Sequence, residues 1–165
     1  MKYIFIFLVY LFSSVSSFSS EKTAFLDIDF ILNNSNLGKS IYSDLEKLNK
    51  KNLDDLEKKE KLLKEQKTSI DKTKNVSSKE KFEKDVNLFN QEINKYRIEK
   101  DKKIKEFRNK KKKKLNEFLI KINPIIQDYM KNNSITIIFE KKQIFIGSTN
   151  IDITNDILEL VNNKL

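Results

Sequence analysis

The sequence has no cysteine, no histidine and no tryptophan. Disulfides, thiolate nucleophiles and Cys/His zinc sites are excluded, and so is imidazole catalysis. The only glycines are Gly38 and Gly147, and the only proline is Pro124. Tight turns and Gly-rich phosphate loops therefore have almost nothing to be built from. Asp27 and Asp29 lie on one side of a strand, as paired carboxylates might, but nothing else gathers near them. Edge solvation or helix capping accounts for them better than acid–base work. No catalytic, cofactor-binding or metal-ligating residues are expected, and the chain reads as a non-enzyme.

What is present is charge. Charged residues make up 35% of the 165 positions, hydrophobic ones 38%, and the formal net charge is +9. One ordinary domain is expected, built of long solvated helices rather than a compact globule. The basic excess has two readings. It could attract acidic partners, or it could reflect a general bias of composition towards Lys, Asn and Ile.

The first twenty residues have the order of a secretory signal peptide. Met1-Lys2 is basic, Tyr3 to Phe12 is apolar, and Ser13 to Ser20 is small and polar. The apolar run is shorter than the roughly 20 residues of a membrane-spanning helix. A signal peptide over 1–19 is expected, cleaved after Ser19 or alternatively after Ser17. An uncleaved anchor is the competing reading. With no cysteine to acylate, a lipoprotein is excluded. The expected location is a periplasm, which removes nucleic acid as a partner.

Lys22 to Asp29 alternates as a strand, followed by a helical turn at Phe30-Ile31-Leu32, with Ser35 or Asn36 able to cap the long helix after it. From Leu37 to Asn132 the period is helical, with a single break at Thr73 to Ser78. In the first half Ile41, Leu45, Leu48, Leu56, Leu63 and Ile70 form one stripe, whose remaining seats are Asn52, Lys59 and Gln66. Glu46–Lys50, Asp54–Lys58, Glu57–Lys61 and Glu60–Lys64 stand in favourable i, i+4 order. Ser77 with Glu80 predicts a capping box for the second helix. Its stripe runs from Phe82 through Val86, Phe89, Ile93, Tyr96, Lys100, Ile104, Phe107, Lys111, Leu115, Phe118, Ile122 and Ile125 to Tyr129. Thirteen steps over 47 residues give about 3.6 per step, with stutters near Lys100 and Lys111 and only weak supercoiling. The two antiparallel helices would be roughly 55 and 80 Å long. The surplus of the second, Leu115 to Tyr129, is its most apolar part and should belong to a body, with a kink at Pro124.

Ser134–Glu140 and Gln143–Gly147 read as a β-hairpin, although Lys141-Lys142 is an unusual turn. Ile151 to Leu165 closes the chain with a helix that Asp152 or Thr154 can cap. The expected fold class is α+β, mainly α: a helical hairpin at 37–132, its tip near 73–78, on a small body made of 20–36 and 133–165. Counted as Lys22 to Asn36 plus Asn133 to Leu165, the body has about 48 residues, is marginal alone and leaves sheet edges open, so oligomerisation through shared edges is expected.

The layout resembles the Skp (OmpH-like) family of periplasmic chaperones over nearly the whole mature chain. The residues that carry the likeness are Lys22-Thr23-Ala24-Phe25-Leu26-Asp27-Ile28-Asp29, Ile31-Leu32-Asn33, Gly38-Lys39, and Ile151-Asp152-Ile153-Thr154-Asn155-Asp156-Ile157. The resemblance implies a homotrimer, with a β-barrel body shared between subunits and three tentacles around a cavity. It implies an ATP-independent holdase for unfolded outer-membrane proteins. The rival readings are a structural coiled-coil adaptor of the envelope and a basic helical binder of anionic membrane. The tip departs from the family pattern in being poor in apolar residues.

The charge run of note is Lys100 to Lys114, with ten basic residues against Asp101 and Glu106. Lys100, Lys103, Arg108, Lys110, Lys111, Lys112, Lys113 and Lys114 are the candidates for binding acidic clients, anionic lipid or lipopolysaccharide; a solvated helix face is the alternative. Phe82, Phe89, Tyr96, Phe107 and Phe118 could touch clients, but their helical spacing makes them coiled-coil core.

Overall fold

A computed structural model describes residues 21–165. The signal peptide expected over 1–19 lies outside the described residues. The chain runs β1 (Lys22–Leu26), α1 (Ile28–Asn34), α2 (Asn36–Thr73), α3 (Lys79–Asn133), β2 (Ile135–Glu140) and α4 (Thr154–Lys164). Short 3-10 turns occupy Lys141–Gln143 and Thr149–Ile151.

β1 stops at Leu26, earlier than the alternation suggested, because Asp27 caps α1. Its side chain accepts the Phe30 N–H at 2.8 Å. Ser35 then caps α2 by accepting the Gly38 N–H at 3.1 Å. The corner between α1 and α2 is tight. A Cβ on Gly38 would lie 1.7 Å from the Leu32 carbonyl oxygen, so only glycine fits.

The 38 residues of α2 and 55 of α3 correspond to about 57 and 82 Å. α3 begins one residue later than the capping box predicted. Ser78, not Ser77, is its cap, with the Lys81 N–H at 3.4 Å. Glu80 is then too close to the cap to complete a box. Pro124 lies inside α3, and the helix continues through it to Asn133.

The expected hairpin after α3 does not form. β2 pairs in parallel with β1, with Thr23 opposite Ile137 and Phe25 opposite Phe139. Ile144–Gly147 belongs to no strand. The helical hairpin itself serves as the crossover that returns the chain alongside β1, as parallel pairing requires. Lys141 and Lys142, expected as a turn, act as ties. Lys141 reaches Asp152 at 2.7 Å and lies 5.9 Å over the Phe25 ring, while Lys142 pairs with Asp29.

The core joins both chain ends to the base of the hairpin. Ile31, Ile157, Val161, Phe118 and Ile122 are its most buried side chains, with Ala24, Leu26, Ile41, Leu45, Ile125 and Ile153 around them. Of the apolar surplus of α3, Phe118, Ile122 and Ile125 are buried, while Leu119 and Ile120 are exposed. α4 is fastened to β1 at its start. Asp152 accepts the Thr154 N–H at 3.0 Å, Thr154 Oγ1 accepts the Asp27 N–H at 3.0 Å, and the Ile153 N–H donates to the Phe25 carbonyl at 3.1 Å. The Tyr129 hydroxyl donates to Asp156, binding α3 to α4. That bond, more than burial, pushes the Tyr129 phenol up to about 12.

Candidate functional site

Beyond the core, α2 and α3 continue as a two-helix arm whose outer surface is densely charged. Most of the expected α2 seats are in place: Leu48, Asn52, Leu56, Leu63 and Ile70 are half-buried. On α3, Phe82, Val86, Phe89, Ile93, Tyr96 and Phe107 are half-buried and Phe118 is buried. These aromatic residues are seam and core, as their spacing suggested.

The seam departs from the expected seats near Lys100. Lys100, Ile104 and Lys111 are exposed, and Glu99 and Lys103 are turned towards α2 instead. Glu99 pairs with Lys59, and Lys103 reaches Asp55 at 2.9 Å. The physical reason is charge. A seam holding both Lys59 and Lys100 would set two cations together, whereas Glu99 supplies the counter-ion. The hydrogen bond from Lys103 holds the Asp55 carboxyl below its ordinary range, against the effect of desolvation. The four i, i+4 pairs expected on α2 do not close. Those that do are on α3: Lys79–Glu83, Lys102–Glu106 and Lys113–Glu117.

The candidate cations are therefore unequal. Lys103 is spent on Asp55, with only 19% of its side chain exposed. Lys114 is half-buried, and Lys113 stands 3.9 Å from Glu117. Lys100, Arg108, Lys110, Lys111 and Lys112 are exposed. The antiparallel pairs Asp55–Lys103 and Lys59–Glu99 set the register of the hairpin. Continued along the helices, it puts Lys110–Lys114 level with the buried base of α2, close to the body rather than at the tip. There Arg108, Lys111 and Lys112 edge a groove of about 430 Å³ floored by Leu115 and Leu119. Cationic stems over exposed leucine make a surface suited to an amphiphilic anion.

The stripe left one class of residue unaccounted for. Leu53, Leu62, Leu88 and Ile98 are large, apolar and exposed along the arm, and Val76 is exposed at the tip. Their signal in the sequence is that they are apolar residues off the stripe. Leu62 and Leu63 border a second cleft, of about 510 Å³, midway along the arm. On the body, Phe145 and Ile146 are almost wholly exposed.

Among the described residues, no helix is long and apolar enough to cross a membrane, and no group of three or more carboxylates could hold a metal ion. No curated protein matches the sequence. Among solved structures, the fold is similar to an OmpH-like protein of Caulobacter crescentus CB15, described as a candidate outer membrane chaperone. The TM-score is 0.81 at 14% identity, over 88% of this chain and 86% of that one. The family described as Outer membrane protein (OmpH-like) matches residues 22–161. With nearly the whole described chain covered, the protein belongs to the OmpH-like outer membrane protein family.

Proposed function

We propose that the protein is an ATP-independent periplasmic holdase, which binds unfolded outer-membrane proteins between arms and delays their aggregation. The observation that carries this reading is the arm of an OmpH-like chain, which leaves Leu53, Leu62, Leu88 and Ile98 in solvent among dense charge. Many weak apolar and electrostatic contacts suit a client with no fixed shape. With no nucleotide loop in the sequence, release occurs when insertion of the client into its membrane is more favourable.

The reading includes a homotrimer with the sheet shared between subunits. β2 pairs on one edge only, its own Ile137 and Phe139 are exposed, and so are Phe145 and Ile146 after it in the chain. Edges and apolar residues of this kind are covered in stable proteins. Export through the signal peptide at 1–19 completes the proposal. The groove of Arg108, Lys111 and Lys112 favours contact with anionic lipid as a second activity.

The test is an aggregation assay. A urea-unfolded outer-membrane barrel protein is diluted into buffer with and without the mature protein. Client held soluble at about one trimer per client supports the reading. Unchanged aggregation rejects it in favour of a structural adaptor. Sedimentation as a stable monomer at micromolar concentration rejects the trimer, and flotation with anionic vesicles in the absence of client tests the lipid contact.

A further inference from the structure

We propose that the cleft midway along the arm takes uncharged apolar side chains of an extended polypeptide, a role that rests on the chaperone reading above. It lies between α2 and α3, with Leu62, Leu63 and Tyr96 among its walls. Its cause is visible in the sequence. Lys59 and Gln66 hold stripe seats on either side of Leu63. Neither supplies the apolar bulk that would fill the seam, and a cleft of about 510 Å³ remains. That size falls in the range of about 300–1,000 Å³ typical of small-ligand pockets and accommodates one or two side chains. Leu62, 64% exposed, stands at its border.

The occupant is decided by the charges at the rim. Lys59 is paired with Glu99, and Lys95 with Glu92 at 2.8 Å. Two cations and two anions cancel, so a charged group entering the cleft would lose hydration without finding a free counter-ion. An uncharged apolar group loses nothing of that kind. An extended chain presents alternate side chains to one face, so one apolar face can enter while the polar face stays in water. The groove at Arg108, Lys111 and Lys112 is the opposite case, with three cations and no acid in its lining. The arm thus carries two kinds of contact, which salt separates. The basic groove weakens as ionic strength rises, and the mid-arm cleft does not.

The experiment uses the mature protein with a photo-crosslinking residue in place of Leu62 or of Lys112. The probes are a urea-unfolded outer-membrane barrel protein and a capped, uncharged peptide of alternating apolar and polar residues. Crosslinking from position 62 is expected to map to uncharged apolar stretches of the client and to persist in molar salt. From position 112 it is expected to fall with salt. Leu62→Asp should weaken peptide binding about tenfold, the loss expected when one leucine contact goes. Ile120→Asp, at an exposed residue outside the cleft, should leave it unchanged. Helicity by circular dichroism checks both folds, and Leu62→Ser repeats the test without an added charge. The proposal is overturned if Leu62→Asp and Ile120→Asp behave alike, if crosslinking from 62 disappears with salt, or if the peptide does not bind. A client held soluble alongside any of these leaves the chaperone reading standing. Peptide binding without client protection would sink that reading and keep the cleft.

Discussion

Asp27 donates its backbone N–H to the Thr154 hydroxyl at 3.0 Å, across 127 positions of the chain. This bond ties the end of the first strand to the start of the last helix, at a buried threonine. Thr154→Val keeps the volume but leaves the Asp27 N–H without its partner. A loss of about 1–3 kcal/mol is expected, read from the urea midpoint at fixed protein concentration. Thr154→Ser retains the oxygen and should cost less. Equal midpoints for Val and wild type would show that the bond contributes nothing.

Acid should loosen the same junction. Desolvation raises the Asp152 carboxyl, but hydrogen bonds from Lys141 and Thr154 outweigh it and hold the group below its ordinary value of 3.8. The folded state then binds fewer protons than the unfolded state in the acid range. The stabilisation is complete above about pH 4 and is lost as pH falls through the lowered folded value. Asp152→Asn should flatten this part of the stability–pH curve. A curve unchanged in shape would contradict the assignment.

Gly38→Ala places a methyl group against the Leu32 carbonyl, 1.7 Å from its oxygen. Backbone must move, and a cost at or above the roughly 1–3 kcal/mol of ordinary overpacking is expected. Gly147→Ala meets the edge of the Phe25 ring at 3.0 Å, which a side chain can yield, so it should be milder. Thermal melting of the two variants ranks them, and the reverse order would refute the account of the α1–α2 corner.

The Asp55–Lys103 contact orders the arm without contributing much energy. A double-mutant cycle with Asp55→Asn and Lys103→Gln should return a small coupling that shrinks in salt. Lys103→Glu, which turns the pair into a repulsion, should lower helicity more than Lys103→Gln does. If Glu and Gln are equivalent, Lys103 is not in the seam.

Replacing Lys110–Lys114 with Gln leaves helix propensity nearly unchanged, since the two residues are close in rank. Client affinity should fall at low salt, and its dependence on ionic strength should flatten. Client binding that is unaltered at every salt concentration would return these lysines to the role of a solvated face.

The long helices were legible because their signal is local. Scarcity of Gly and Pro, a 3.6-residue stripe and a single polar break are all contained within a window of the chain. The core at the base of α3 was legible for the same reason, as a rise in apolar content from Leu115 to Tyr129. The seam near Lys100 was read wrongly because the period alone chose the seats. Glu99 and Lys103 take them by pairing with Lys59 and Asp55, some 40 and 48 positions away.

By itself, the sequence determined the helical hairpin, its unequal halves and the absence of thiol and imidazole chemistry. Each of these rests on residue type and short-range spacing. Only the tertiary structure decided that β2 lies parallel to β1 rather than folding back on Gln143–Gly147. It also decided that Lys103 is spent inside the arm on Asp55. These outcomes depend on partners brought together from distant parts of the chain, whose identity no local pattern encodes.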